Sequence, residues 1–273
     1  MNTLFLIQDT FRKTSTIDDE IDACSNLSLV WKPLSYIPFS NTIELDIDYY
    51  QYPNCVVRSG TKIIRLIEDP TSNITPHLRK FLKNGIWHSH YFDQINLIHT
   101  PIHNYLLNAN AHFLPFKDAQ NIKYKDPIFI KPSGDMKEFA GTILPPNTSI
   151  NEYLNQTTYD IHINECTMLI QPRLETILAE ARFIVVNKNI ISGSYYKINN
   201  KLQSKRIMTN SPLFTHLQQM IVDFEPAPIY TIDIAILKGL EIKIIEYNCF
   251  NCSGLYQIDT TAVFKAINNF LST

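Results

Sequence analysis

Three oxygen-bearing side chains, Asp233, Glu246 and Asn248, lie close together among apolar and β-branched residues near the end of the chain. Their types and spacing suit a divalent cation. Along Lys243-Ile244-Ile245-Glu246-Tyr247-Asn248, a strand period of two sends Glu246 and Asn248 to one face, about 7 Å apart. Lys238-Gly239-Leu240 reads as a short turn. It predicts an antiparallel hairpin of residues 229–237 and 241–248, with Asp233 opposite or diagonal to Glu246. Two carboxylates and an amide carbonyl are hard ligands of the kind Mg²⁺ takes while it borrows the rest of its shell from water and substrate phosphates. A Glu-x-Asn pair on its own also fits an ordinary exposed strand. The difference is made by what stands upstream.

Cationic residues come in the middle of the chain. Residues 128–132, Ile-Phe-Ile-Lys-Pro, form a β-rich run that ends in Lys131, and a lysine after so dense an apolar pattern needs an anionic partner if the strand is internal. A nucleotide phosphate would serve, and so would solvent at an edge strand. Lys137, in a loop bracketed by Gly134 and Gly141, offers a second point charge beside backbone amides. Residues 168–172 form an extended apolar segment whose free backbone groups can pair with an adenine edge. Residues 177–186 and 190–197 read as paired strands turned at Asn187-Lys188-Asn189, with Glu180 and Arg182 on one face and Phe183 and Val185 on the other. Glu180 and Arg182 either neutralise each other on a wet face, worth about 0–1 kcal/mol, or Arg182 serves a γ-phosphate with its planar fork. Lys197, after Tyr195 and Tyr196, would join it.

The remaining elements must hold these groups. Residues 4–7, 27–31 and 55–58 are short apolar runs, and a weak helix at 18–24 lies between the first two. Continuous apolar strands of this kind suit a parallel sheet buried on both faces. Ser59-Gly60 would let amides approach a ligand at a strand's carboxyl end. Thr75-Pro76 opens a helix stopped by Asn84-Gly85. A further helix is expected over 101–107, then amphipathic helices over 212–224, capped by Ser211, and 259–271. Arg58, Trp87, His88 and His90 are candidate substrate contacts from their chemistry and position. At 273 residues, 45% hydrophobic and 18% charged, the chain is globular and long enough for one large or two modest domains. A formal charge of −2 gives no basic footprint for nucleic acid. Five cysteines without framework spacing favour reduced thiols and a cytoplasmic setting, and Cys249-x-x-Cys252 lacks the second pair of a zinc site. No run approaches the ~20 apolar residues that span a bilayer. The expectation is a soluble protein with no membrane partner.

The order of these groups resembles the ATP-grasp superfamily. More narrowly, Phe129-Ile130-Lys131-Pro132 with Lys137-x-Phe139-x-Gly141, Glu180-x-Arg182-Phe183, and Ile245-Glu246-Tyr247-Asn248-Cys249-Phe250-Asn251 look like the clade named for one arginine and two lysines. The resemblance covers about residues 113–273. It implies an α/β (α+β) ATP-grasp fold at 113–273, preceded by a small α/β pre-ATP-grasp domain at 1–112. It also implies ATP between two subdomains, with Lys131 and Lys137 on its phosphates and 168–174, through Leu174, lining the adenine. Gln171 and Glu175 are candidates for base or ribose contacts, with Glu180 and Lys197 beside the nucleotide. Asp233, Glu246 and Asn248 would carry Mg²⁺, and Arg182, with Lys137, would steady the transferred phosphoryl group. The chain departs from many relatives in having only seven glycines, which implies a stiffer phosphate loop. The implied activity is an ATP-dependent ligase that joins a small-molecule or peptide carboxylate to an amine through an acyl phosphate, releasing ADP. A phosphotransferase on the same fold and a silent nucleotide-binding regulator are the alternatives.

Overall fold

The computed structural model describes residues 3–9, 14–37, 42–134, 138–156, 161–173 and 177–273. The front of the chain builds a parallel three-stranded sheet in the order β2-β1-β5, from β1 (Thr3–Ile7), β2 (Val30–Pro33) and β5 (Asn54–Arg58). A small hairpin of β3 (Ser35–Ile37) and β4 (Thr42–Glu44) stands between β2 and β5 in the chain. Every residue of β1 is buried, as a strand covered on both faces requires. Helix α1 (Thr14–Asn26) runs longer than the expected 18–24. It ends where Leu27 and Leu29 donate back to Ala23 and Cys24 around Ser28, at φ 53°. That left-handed exit turn consumes Leu27 to Leu29, so β2 starts only at Val30.

Two helices follow β5: α2 (Thr61–Glu68) and α3 (Pro76–Asn84). The Thr75 hydroxyl caps α3 by accepting from the Leu78 amide, with proline at the first turn, as the sequence predicts. Gly85 ends it against β5, where an added Cβ would come within 2.7 Å of the Cys55 carbonyl oxygen. After the single turn α4 (Gln94–Leu97), the helix expected over 101–107 does not form. Pro101 is followed by a 3₁₀ turn at His103–Tyr105. Leu106 then bridges Ile244, and the Leu107 amide donates to the Ile244 carbonyl at 2.7 Å. Docking onto a strand edge has taken the backbone groups that a helix would use.

The next layer is an antiparallel sheet in the order β6-β9-β7-β8, from β6 (His112–Pro115), β7 (Ile128–Pro132), β8 (Thr142–Leu144) and β9 (Thr167–Pro172). Short helices α5 (Phe116–Ala119) and α6 (Ile150–Leu154) close its back. Strand alternation buries Ile128, Ile130, Met168 and Ile170 in that layer's core. It leaves Phe129, Lys131, Leu169 and Gln171 on the other face, paired Phe129 with Gln171 and Lys131 with Leu169.

A five-stranded antiparallel sheet follows, in the order β12-β11-β10-β13-β14. Its strands are β10 (Ile177–Val186), β11 (Asn189–Ile198), β12 (Lys201–Ile207), β13 (Ile229–Leu237) and β14 (Ile242–Cys249). Asn187 and Lys188, and then Asn199 and Asn200, all have positive φ, the geometry of two-residue hairpin turns that match strand twist. Helices α7 (Pro212–Ile221) and α8 (Thr260–Ser272) pack behind this sheet through Leu217, Met220, Val263 and Phe264. The same core takes Phe5 and Val56 of the front sheet, with the Phe5 and Phe264 rings 4.9 Å apart. No helix among the described residues is long and apolar enough to cross a membrane.

Candidate functional site

A cleft of about 810 Å³ opens between the polar face of the four-stranded sheet and the five-stranded one. Lys131, Gln171, Glu180, Lys197 and Glu246 all line it. The expected hairpin of β13 and β14 is present, and its register sets Asp233 directly opposite Glu246. On the other side of β13, Arg182 pairs in register with Asp233. Three charged positions therefore form a row across adjacent strands, and the fourth, Lys131, arrives from the opposite sheet.

Arg182 donates through Nε and Nη2 to the two Asp233 oxygens, each at 2.7 Å, and through Nη1 to the Gly254 carbonyl at 3.2 Å. Both side chains are buried. Burial alone would lower the Arg182 pKa, but the Asp233 charge and its hydrogen bonds outweigh that, and the guanidinium is held charged. Lys131 reaches across the cleft to form an ion pair with Glu246. Lys197 pairs with Glu180 at 2.8 Å. Glu180 and Arg182 thus do not neutralise each other along β10. Each turns sideways to its cross-strand partner, because directly opposed side chains in a sheet stand closer than i and i+2 on one strand.

Asn248 is buried two residues beyond Glu246, and its Nδ2 meets no hydrogen-bond partner among the described residues. An amide's oxygen and nitrogen exchange places by a half-turn, so this side chain is able to present either to the row of carboxylates. Among the described residues no three His, Cys, Asp or Glu side chains group as a metal site. A cation here would instead draw on Asp233, Glu246 and the Asn248 amide, with the rest of its shell from water or phosphate. That donor set fits Mg²⁺.

Lys137, Leu174 and Glu175 lie outside the described residues. Gln171 stands on the cleft wall and donates to Asn108 at 2.8 Å. Arg58 is no substrate contact: it is buried, its Nη2 and Nε grip Glu20 at 2.8 and 3.0 Å, and its other bonds go to the carbonyls of Phe250 and Ser253. The Ser59 and Gly60 amides are also taken, by the Asn251 carbonyl and the Gln8 side chain. Asn251 joins the layers, donating to the Val57 and Gly85 carbonyls at 2.6 and 2.7 Å and accepting from the Trp87 amide at 2.9 Å. Trp87 itself is core. His88 lies 3.4 Å from Glu68, and His90 lines a separate hollow of about 420 Å³.

Sequence reasoning missed Asn108 and the stacked pair Tyr196 and Tyr256, whose ring centroids are 5.1 Å apart. Arg182 lies 5.5 Å from the Tyr256 ring centre. Burial first, and Asp233 next, push the Tyr196 pKa up, so its hydroxyl stays protonated beside the charges. The available signal was Tyr196 preceding Lys197 on a strand whose partner carries Glu180 and Arg182.

Comparison with known proteins bears on the fold. D-cycloserine synthetase DcsG superposes with a TM-score of 0.59 at 12% identity, covering 98% of this chain and 99% of that one. The D-alanine–D-alanine ligase from Bacillus anthracis, complexed with ATP, gives 0.53 at 11% identity over 99% and 96%. The macrocyclase MdnC from Microcystis aeruginosa, bound with precursor peptide MdnA, gives 0.52 at 13% over 98% and 100%. At these identities the likeness is one of fold. A search of curated proteins finds no match to the chain. The family model of the ATP-grasp domain, family 2 of the clade named for one arginine and two lysines, matches residues 112–266, more than half of the chain. This protein therefore belongs to the ATP-grasp superfamily, in the second family of that clade.

Proposed function

We propose that the chain is an ATP-dependent ligase that joins a carboxylate to an amine, with residues 113–273 as the catalytic unit and 1–112 as a preceding α/β domain. One observation carries the reading: Lys131 and Lys197, cations from two sheets, meet the hairpin carboxylate Glu246 in a single cleft of about 810 Å³, a size within the usual range for ligand sites, while Arg182, Asp233 and Asn248 lie buried next to Glu246 and do not line it. Each of these charges is already compensated by an opposite one. A metal-bound triphosphate would bring both signs, so that Lys131 would trade Glu246 for a phosphate oxygen and Glu246 would be free to hold the cation. Neither side chain would be left without an opposite charge. Asp233, Glu246 and Asn248 would hold Mg²⁺, which when bound neutralises phosphate charge. Lys131, Lys137 and Lys197 bind phosphates, and Gln171, Leu174 and Glu175 line the base and ribose. Glu180 orients Lys197.

In the reaction a substrate carboxylate oxygen bonds the γ-phosphorus as the bond to ADP breaks. Arg182 steadies the charge of the phosphoryl group in transit, and the protein's part is mainly positioning. The amine nitrogen then bonds the acyl carbon, phosphate leaves, and the amine proton passes to solvent. The relatives named above include a peptide-bound macrocyclase and a D-alanine–D-alanine ligase, which favours a peptide or amino-acid-like carboxylate. Incubation with ATP, Mg²⁺ and pooled amino acids or peptides tests the proposal. ADP with a new amide supports it, whereas ADP with a stable phosphorylated product indicates a phosphotransferase. Nucleotide binding without turnover indicates a regulator.

A further inference from the structure

The register of the last hairpin slips between Asp233 and Ile234, leaving Ile245 as the extra residue of a β-bulge. Its carbonyl accepts from Asn108 Nδ2 at 3.3 Å. A carbonyl oxygen only accepts, so this contact fixes which end of the Asn108 amide is nitrogen. The Asn108 oxygen then faces Gln171, whose Nε2 donates to it at 2.8 Å. The same Asn108 nitrogen reaches Gln94 Oε1 at 3.2 Å. Three buried amides are thereby aligned in one sense. The sense is visible at the inner end, where Gln94 Nε2 has no partner among the described residues. At the outer end Gln171 lines the cleft, and no described residue donates to its Oε1. The group it offers a ligand is an acceptor.

The geometry points to Asn108 as the positioning residue that sets nucleobase choice, by holding the Gln171 amide with its oxygen toward the cleft. That oxygen accepts from the 6-amino group of adenine and opposes the 6-oxo group of hypoxanthine or guanine. Phe129, paired with Gln171 across β7 and β9, supplies an adjacent ring for the purine. Asn108 lies ahead of the segment that the family model matches. The inference rests on the nucleotide reading proposed above.

ATP and ITP differ in the group at position 6 of the base and in the proton that the 6-oxo form carries on the neighbouring N1, so the change in their Kd ratio between variants, measured by calorimetry with Mg²⁺, tests it on the full chain. Wild type should prefer ATP by about tenfold or more. Asn108→Ala should bring the ratio close to one, because Gln171 is then free to turn. Adding Gln171→Glu to that variant should restore the preference, since a carboxylate accepts in either orientation, and mere loss of packing would not be rescued this way. An Asn108→Ala ratio equal to wild type, or no recovery in the double variant, overturns the inference. If wild type binds neither nucleotide, the proposed function itself fails. If it binds both equally, the nucleotide reading stands and the role of Asn108 does not. Where Asn108→Ala does not fold, Asn108→Ser is read by the same ratios.

Discussion

Removing the charge of Asp233 strands the deepest cation of the site. Arg182 and Asp233 are 4% and 3% exposed and share two 2.7 Å bonds, so Asp233→Asn keeps the shape while leaving a guanidinium buried without its counter-charge. Breaking one side of a buried pair costs about 3–5 kcal/mol. For 273 residues, an unfolding entropy of about 2.1 cal/mol/K per residue sums to about 0.57 kcal/mol/K. The expected fall in Tm is therefore about 5–9 °C. Arg182→Met with Asp233→Leu should recover most of it, because a matched apolar pair replaces the ionic one without stranding a charge. Calorimetric melting of wild type, each single variant and the pair gives the coupling directly. An Asp233→Asn melt within about 1 °C of wild type would refute the reasoning, since it would mean that Arg182 has other compensation or easy access to water.

Glu246→Gln should behave differently: Glu246 and Lys131 are 15% and 12% exposed at the cleft, so its Tm should fall by less than that of Asp233→Asn while its response to Mg²⁺ and ATP shrinks. At a hundredfold excess over Kd, wild type gains about 2.7 kcal/mol, or about 5 °C, and a tenfold weaker variant about half of that, which differential scanning fluorimetry resolves. Asn251→Ala, by orphaning the Val57 carbonyl and the Trp87 amide and leaving the Gly85 carbonyl with the Val57 amide as its remaining donor, should lower the melting temperature by about 4 °C or more in the same assay. Burial pushes the Cys24 and Cys55 thiols up from 9.0 to about 12, so the folded state keeps protons that the unfolded chain loses. Their contribution is complete below pH 9 and declines as pH climbs toward 12. The urea midpoint should accordingly drop between about pH 9 and 10.5, and an unchanged midpoint would count against buried neutral thiols.

Much of this architecture was legible because local signals agreed with the tertiary outcome. The terminal hairpin is an example: apolar alternation, a glycine turn and period two place Asp233 opposite or diagonal to Glu246, and the structure pairs them directly. The parallel front sheet followed from uninterrupted apolar runs for the same reason. The failures lie where long-range contacts overrode local preference. Residues 101–107 carry helix-compatible residues, but Leu106 and Leu107 are captured by Ile244, far along the chain. Strand β12, from Lys201 to Ile207, is exposed along almost its whole length and so lacks the apolar alternation that would have announced it. Two paired asparagines, Asn199 and Asn200, were the one available sign of its turn.

Charge pairing was the least legible feature, and the reason is geometric. A sequence displays neighbours along one strand, so Glu180 and Arg182 looked like partners, while the sheet offers each a closer group on an adjacent strand. The result is a site whose cations and anions are mutually satisfied: Lys131 with Glu246 and Lys197 with Glu180 on the cleft wall, and Arg182 with Asp233 buried beside it. Such pairing lowers the cost of holding a dense group of charges out of water before any ligand arrives. It also predicts the order of release on nucleotide entry. The pairs at the cleft wall, Lys131 with Glu246 and Lys197 with Glu180, retain access to solvent and should exchange first. Arg182 and Asp233, nearly dry and doubly bonded, should part only where phosphate and metal charge take over both ends together.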